Sequence, residues 1–135
     1  MITTTDYVEI EKMVLKFLGD MKHLVTLDMA DYETLKNQAS HAVSTLISSA
    51  DGSDSPVEAL EKSYATLSCH GVKSVKSVMF SLCAHNIDVI SQDTITRLIE
   101  AECKTLGTVP VIWGAGEDSS LGEGEWRLLN VVFYE

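Results

Sequence analysis

Glu125-Trp126-Arg127-Leu128-Leu129-Asn130-Val131-Val132-Phe133-Tyr134 is the most apolar stretch of the chain, and the architecture turns on how it is buried. Its β-branched and aromatic residues are those of a strand. Trp126, Leu128, Val132 and Tyr134 fall on one face, and Leu129, Val131 and Phe133 on the other; only Arg127 and Asn130 interrupt. A strand that is apolar on both faces needs cover on both. Just upstream, Thr108-Val109-Pro110-Val111-Ile112-Trp113 is a second β-rich stretch, and Gly114 to Gly124 separates the two. The expected arrangement is a C-terminal antiparallel β-hairpin around a flexible, acidic, glycine-rich loop 114–124. Its first strand should lie at a sheet edge, because Pro110 has no N–H to give to a ladder. A lone hairpin is marginal in water. One face should therefore pack on helices, and the other on a further helix or a second copy of the chain. The free edge of such a strand favours the second copy, a homodimer. Trp113 and Trp126, flanking the loop, are expected to face each other as a cross-strand pair.

Working back from the hairpin, the rest reads as about five helices. Asp6 and Glu9 form a start signal for a first helix carrying Tyr7, Ile10, Val14, Phe17, Leu18 and Met21. Leu24 to Leu27 reads equally as a last turn or a short extended piece. Asp28 and Asp31 place acid at the start of a second helix, with an apolar stripe through Tyr32, Leu35, Ala39, Ala42, Val43, Leu46 and Ile47. The segment 48–55 has turn formers and no apolar period, and is expected to be a flexible loop. Ser55 caps the third helix, with Pro56 at its first position and Glu58 completing the signal. A fourth helix is predicted through Val72, Val75, Met79 and Leu82, stopping at Asn86. Ser91 caps a fifth, with Ile95, Leu98, Ile99, Cys103 and Leu106 in line and Gly107 at its end. The whole is expected to be one α+β domain over residues 1–135, mainly helical with the C-terminal hairpin.

Charge narrows the function. Twenty Asp and Glu stand against ten Lys and Arg, a net charge of −10, and only Arg97 and Arg127 are arginines. Nucleic-acid binding rests on clustered cations that displace phosphate counterions. This chain would repel a polyanion and attract a basic protein surface. Three cysteines make no paired framework. Neither a signal peptide nor a run of ~20 apolar residues is evident, so a cytoplasmic location is expected.

The candidate chemical motifs are few. Cys69-His70 and Cys83-x-His85 supply metal-binding residue types. If 72–84 is a helix, its 1.5 Å rise per residue separates the pairs by roughly 20 Å, too far for one ion. No metal and no cofactor are expected. A thiol enzyme at Cys69 would need a histidine in the right geometry and an orienting third group, which adjacency to His70 does not supply. The glycine-rich loop joins strands, holds no lysine and carries Glu117, Asp118, Glu123 and Glu125. It therefore fits a basic partner better than a phosphate.

Ile90-Ser91-Gln92-Asp93-Thr94-Ile95-Thr96-Arg97-Leu98-Ile99 resembles the recognition helix of winged-helix regulators. That resemblance implies DNA binding by the helix 92–106, through Gln92, Thr94, Thr96, Arg97 and Lys104. The hairpin loop that would serve as the wing is acidic where phosphates would lie, which ranks this reading second. The first reading is a non-catalytic, acidic interaction or regulatory protein. It docks a basic protein surface through Glu117, Asp118, Glu123 and Glu125, and uses Trp126, Leu128, Val132 and Tyr134 to pack or dimerise.

Overall fold

A computed structural model describes residues 1–52, 55–86 and 90–135, without the side chains of residues 68 and 69. Among the described residues, six strands and four helices alternate in a pattern far from a helical bundle with a tail. In chain order they are β1 (Ile2–Thr4), α1 (Tyr7–Gly19), β2 (Lys22–Val25), α2 (Met29–Asn37), β3 (His41–Ser48), α3 (Pro56–Tyr64), β4 (Val75–Ala84), α4 (Gln92–Leu106), β5 (Val111–Glu117) and β6 (Trp126–Tyr134). Short 3-10 turns follow β3 and α3. The strands form one mixed sheet in the order β1-β3-β6-β4-β5-β2. Every neighbouring pair is antiparallel except β4 and β5, which run parallel. A parallel pair cannot be joined by a tight turn, and α4 supplies the crossover.

The mainly helical reading with a terminal hairpin is therefore corrected. Residues 41–48 continue no second helix, since α2 ends at Asn37. They form β3, paired with β6 in unbroken register from His41↔Tyr134 to Ser48↔Arg127. Residues 75–84 are likewise no helix but the central strand β4. Their side chains from Ser77 onward are all buried, a pattern that belongs to a strand covered on both faces. β5 and β6 do not pair with each other. β4 lies between them, so Phe80 stands opposite both Trp113 of β5 and Asn130 of β6. Trp113 and Trp126 consequently do not meet; Trp113 stacks on Phe80 at 6.4 Å between ring centroids.

The cover of β6 comes from the chain itself. On one face Trp126, Leu128, Val132 and Tyr134 join Leu60 and Tyr64 of α3 and Ile95, Leu98 and Ala101 of α4. On the other, Leu129, Val131 and Phe133 join Ile10, Val14 and Phe17 of α1 and Tyr32 and Leu35 of α2. With β3 and β4 on its two edges, β6 offers no free ladder. The reason for expecting a second copy along this strand is thereby removed.

Local signals hold the helices where the sheet needs them. Asp6 accepts from Val8 N at 2.8 Å at the start of α1, and Ser55 from Glu58 N at 3.2 Å at the start of α3. Asp28 and Asp31 close a reciprocal capping box on α2, and Ser91 accepts from Thr94 N on α4. The expected loop 48–55 begins inside β3 and continues through a 3-10 turn, with residues 53 and 54 outside the described set. Among the described residues no helix is long and apolar enough to cross a membrane.

Candidate functional site

Because β4 and β5 are parallel, their C-terminal ends lie together, with Ala84 opposite Glu117 and, across β6, opposite Trp126. The segment 118–125, the start of α4 and the first residue of β2, Lys22, all gather at this end of the sheet. The acidic residues singled out in the sequence come here, but they divide into two kinds. Glu117 ends β5 opposite Lys22, partly buried. Asp118 is an internal strap. Its carboxylate accepts from Ser120 N at 2.9 Å, from the Ser120 hydroxyl at 2.5 Å and from Arg127 Nη2 at 2.8 Å. The two Ser120 donors, with the Arg127 charge behind them, hold it below the usual carboxylate range. Arg127 in turn lies over the Phe17 ring. Of the four, Glu123 and Glu125 are the exposed ones, with the Glu125 carboxylate lying against Gly122.

The glycine-rich loop is shorter than its composition suggests. Gly114 and Gly116 are strand residues of β5, and they are glycines because the β2 segment crosses their face. A Cβ on Gly114 would stand 2.6 Å from Leu27 Cβ, and one on Gly116 would stand 2.5 Å from Met21 Sδ. The remaining turn is tied to the sheet by His85, whose N–H donates to Glu125 O at 3.2 Å and whose Nδ1 lies 2.6 Å from Leu121 O.

Beside that end, the outer strand β2 and the entry to α4 enclose an apolar groove of about 170 Å³. Leu24, Val25, Ile90, Ile95, Trp113 and Ala115 line it. Leu24 and Val25 are 40% and 39% exposed, large apolar side chains on a strand with one unpaired edge. An exposed apolar concavity of this kind is a feature of recognition surfaces.

The other sequence candidates fall elsewhere. In α4, Ile95, Leu98, Ala101 and Glu102 are buried against the sheet, while Gln92, Thr96, Arg97 and Lys104 are exposed. Thr94 is held by Ser91, and Arg97 faces Asp93 at 3.4 Å. No wing accompanies this helix, since β5 and β6 are separated by β4. The winged-helix resemblance thus loses the fold that it implied. The Cys69 side chain lies outside the described residues. Cys83 is buried in β4, and burial pushes its thiol up, away from the activated range, despite the neighbouring Arg127. The separation argued for the Cys69-His70 and Cys83-x-His85 pairs assumed a helix that is a strand; among the described residues no three His, Cys, Asp or Glu side chains group to hold a metal.

Sequence reasoning missed one cluster. Glu102 of α4 is fully buried, and the Tyr64 hydroxyl of α3 donates to its carboxyl. The Asn130 amide of β6 stands 3.0 Å from the Tyr64 hydroxyl and 3.0 Å from Glu102 Oε2. Burial pushes the Glu102 carboxyl up to about 8, against the opposing effect of the Tyr64 hydrogen bond. Two signals for the cluster were present. Asn130 breaks an otherwise apolar strand, and Glu102 occupies the position four residues after Leu98 in the buried stripe of α4.

No protein-family model matches the chain, and no curated protein matches it in sequence. Solved structures do match in fold. CetZ from Methanosaeta thermophila strain DSM 6194 aligns with a TM-score of 0.54 at 18% identity, over 93% of this chain and 36% of the CetZ chain. The chain thus spans about a third of that protein's length. At this identity the likeness is one of fold alone.

Proposed function

We propose that the chain is a non-catalytic interaction module that docks a basic protein surface at the end of the sheet where β2, the start of α4 and the turn 118–125 meet. One observation carries this reading: an apolar groove rimmed by Leu24, Val25 and Trp113 on the unpaired edge strand, in an acidic chain whose turn after β5 adds the exposed carboxylates Glu123 and Glu125. Apolar anchors supply affinity, while rim charges steer approach and select the sign of the partner. With a net charge of −10, the partner is a basic protein segment rather than a nucleic acid. The sequence-level reading shared the docking among four acids. Here the role passes to Glu123 and Glu125, because Asp118 is committed to Arg127 and Ser120. The unpaired edge of β2 suits an extended partner segment, which adds main-chain hydrogen bonds to the side-chain contacts. We place the protein in the cytoplasm, where thiols such as Cys83 and Cys103 stay reduced.

A test uses a synthetic peptide of alternating lysine and leucine, with a glutamate–leucine peptide as control, followed by amide chemical shifts. The lysine peptide is expected to shift Lys22–Val25, Trp113–Glu117 and the turn 118–125, with binding that weakens as salt rises. Glu123→Lys combined with Glu125→Lys is expected to weaken it by about threefold to tenfold, the scale of rim charges. Shifts spread over α1 and α2, or equal binding of the glutamate peptide, would overturn the reading.

A further inference from the structure

Glu102, Tyr64 and Asn130 are three polar side chains closed off from water, one each from α4, α3 and β6. They make three mutual contacts: Tyr64 to Glu102, Tyr64 to Asn130, and Asn130 to Glu102. Three contacts need three donors. Tyr64 supplies one proton, and the Asn130 amide nitrogen reaches only one of its two neighbours at a time. The third donor must be the carboxyl of Glu102 itself. This holds for both orientations of the Asn130 amide. With the amide nitrogen toward Tyr64, and Tyr64 donating to Glu102, the Glu102 O–H donates to the Asn130 oxygen; with the nitrogen toward Glu102, the Tyr64 proton turns to the Asn130 oxygen and the Tyr64–Glu102 bond reverses, the carboxyl O–H donating to Tyr64. An ionised Glu102 leaves one contact with an acceptor facing an acceptor, in a site where unpaired polar groups are costly.

We propose that this triad is a proton-dependent latch on the seam between α3 and α4: the ring is closed while Glu102 keeps its proton, and the two helices loosen from the sheet once it is lost. The seam already has a groove of about 310 Å³ on its outer side, lined by Val57, Glu61, Arg97, Glu100, Ala101 and Lys104, residues of the same two helices that carry Tyr64 and Glu102. The titratable side chain that touches Glu102 is Tyr64; Glu61, Arg97, Glu100 and Lys104 line the outer groove of the seam. The sheet presents uncharged groups, Asn130 of β6 with Phe80 of β4 and Thr45 of β3 opposite it in register. Tyr64 stays protonated throughout, since burial and the nearby carboxyl both raise it.

The sign follows from linkage. In the opened form the carboxyl meets water and titrates near its ordinary value of 4.5, whereas in the closed form it holds its proton to about 8. Closure is therefore tightest below 4.5 and weakens as pH rises, and the loss is complete at about 8, above which both forms are ionised. The experiment is a carbon-13 titration of the Glu102 carboxyl in the intact protein, paired with amide exchange in α3 and α4 corrected for intrinsic rate. The expected carboxyl midpoint lies near 8, and the opened population of α3 and α4 rises by up to about tenfold per pH unit between 5 and 8. Glu102→Gln is expected to flatten that rise and leave α1 and α2 unchanged. A midpoint below 5 in the unaltered protein, which needs no variant to fold, would overturn the latch. So would an equal pH dependence in Glu102→Gln.

Discussion

The two faces of the sheet are built to different rules. Under α1 and α2, β6 presents Leu129, Val131 and Phe133 to Ile10, Phe17, Tyr32 and Leu35, and the packing is close enough that β5 must be glycine at 114 and 116. Under α3 and α4 the same sheet presents Leu128, Val132 and Trp126, but also the Asn130 amide, which meets the buried acid Glu102 of α4 and the Tyr64 phenol of α3, and along β5 an indole beside an open groove. A close-packed apolar face is sensitive to volume and indifferent to pH. A face with a fully buried carboxyl makes stability depend on a proton. The difference assigns rigidity to the first face and response to the second.

Truncation on the first face should have the largest effect. Phe133 is fully buried and lies 5.9 Å from the Tyr32 ring. Phe133→Ala is expected to cost about 3–5 kcal/mol in urea unfolding, by the same amount at pH 5 and pH 8. A pH-dependent cost would erase the distinction between the faces. Next in size is Glu102→Gln. Relative to the unaltered protein it should be near neutral at pH 4.5 and more stable by roughly 2–4 kcal/mol at pH 8, because the unaltered chain must keep a proton there that its unfolded form releases. Parallel stability–pH curves for the two proteins would show that no proton is held. Gly114→Ala should come third. Its Cβ would meet the backbone oxygen of Val25 at 3.0 Å as well as Leu27, costing about 1–3 kcal/mol by overpacking. Because Leu27 belongs to the α1–α2 cluster, this loss too should be independent of pH. Smallest is Ser55→Ala, which removes the cap of α3 and should cost about 1 kcal/mol by thermal unfolding. The change is expected to be felt in α3 and not in α2, which keeps its own Asp28–Asp31 box.

Much of the local structure was legible. Capping residues placed the starts of α1, α3 and α4, and the two-sided apolar character of β6 marked it as a strand needing double cover. β3 and β4 were misread because apolar residues at three- and four-residue spacing fit a helix as well as a buried strand. Val72, Val75, Met79 and Leu82 make a helical stripe, yet Val78, Phe80, Cys83 and Ala84 fill the intervening positions, which only a strand covered on both faces would do. Insertion of β4 between β5 and β6 is a non-local choice that adjacency in sequence argues against. The edge strands β1 and β2, of three and four residues, carry no readable period. Gly114 and Gly116 signalled a loop because the chain that crosses them lies about ninety residues away. Of the proposed docking site, the acids were visible, but Asp118 is taken up by Arg127 and Ser120, and the groove exists only once β2 and α4 meet.

The claim on which the rest stands is that β6 is sealed by this chain's own helices and strands. Amide exchange along Trp126–Tyr134, measured at several protein concentrations spanning a hundredfold, tests it directly. These amides are expected to be among the slowest in the molecule and their protection independent of concentration. Fast exchange at low concentration that slows as the protein is concentrated would mean that a second copy supplies the cover, and would contradict the architecture described above.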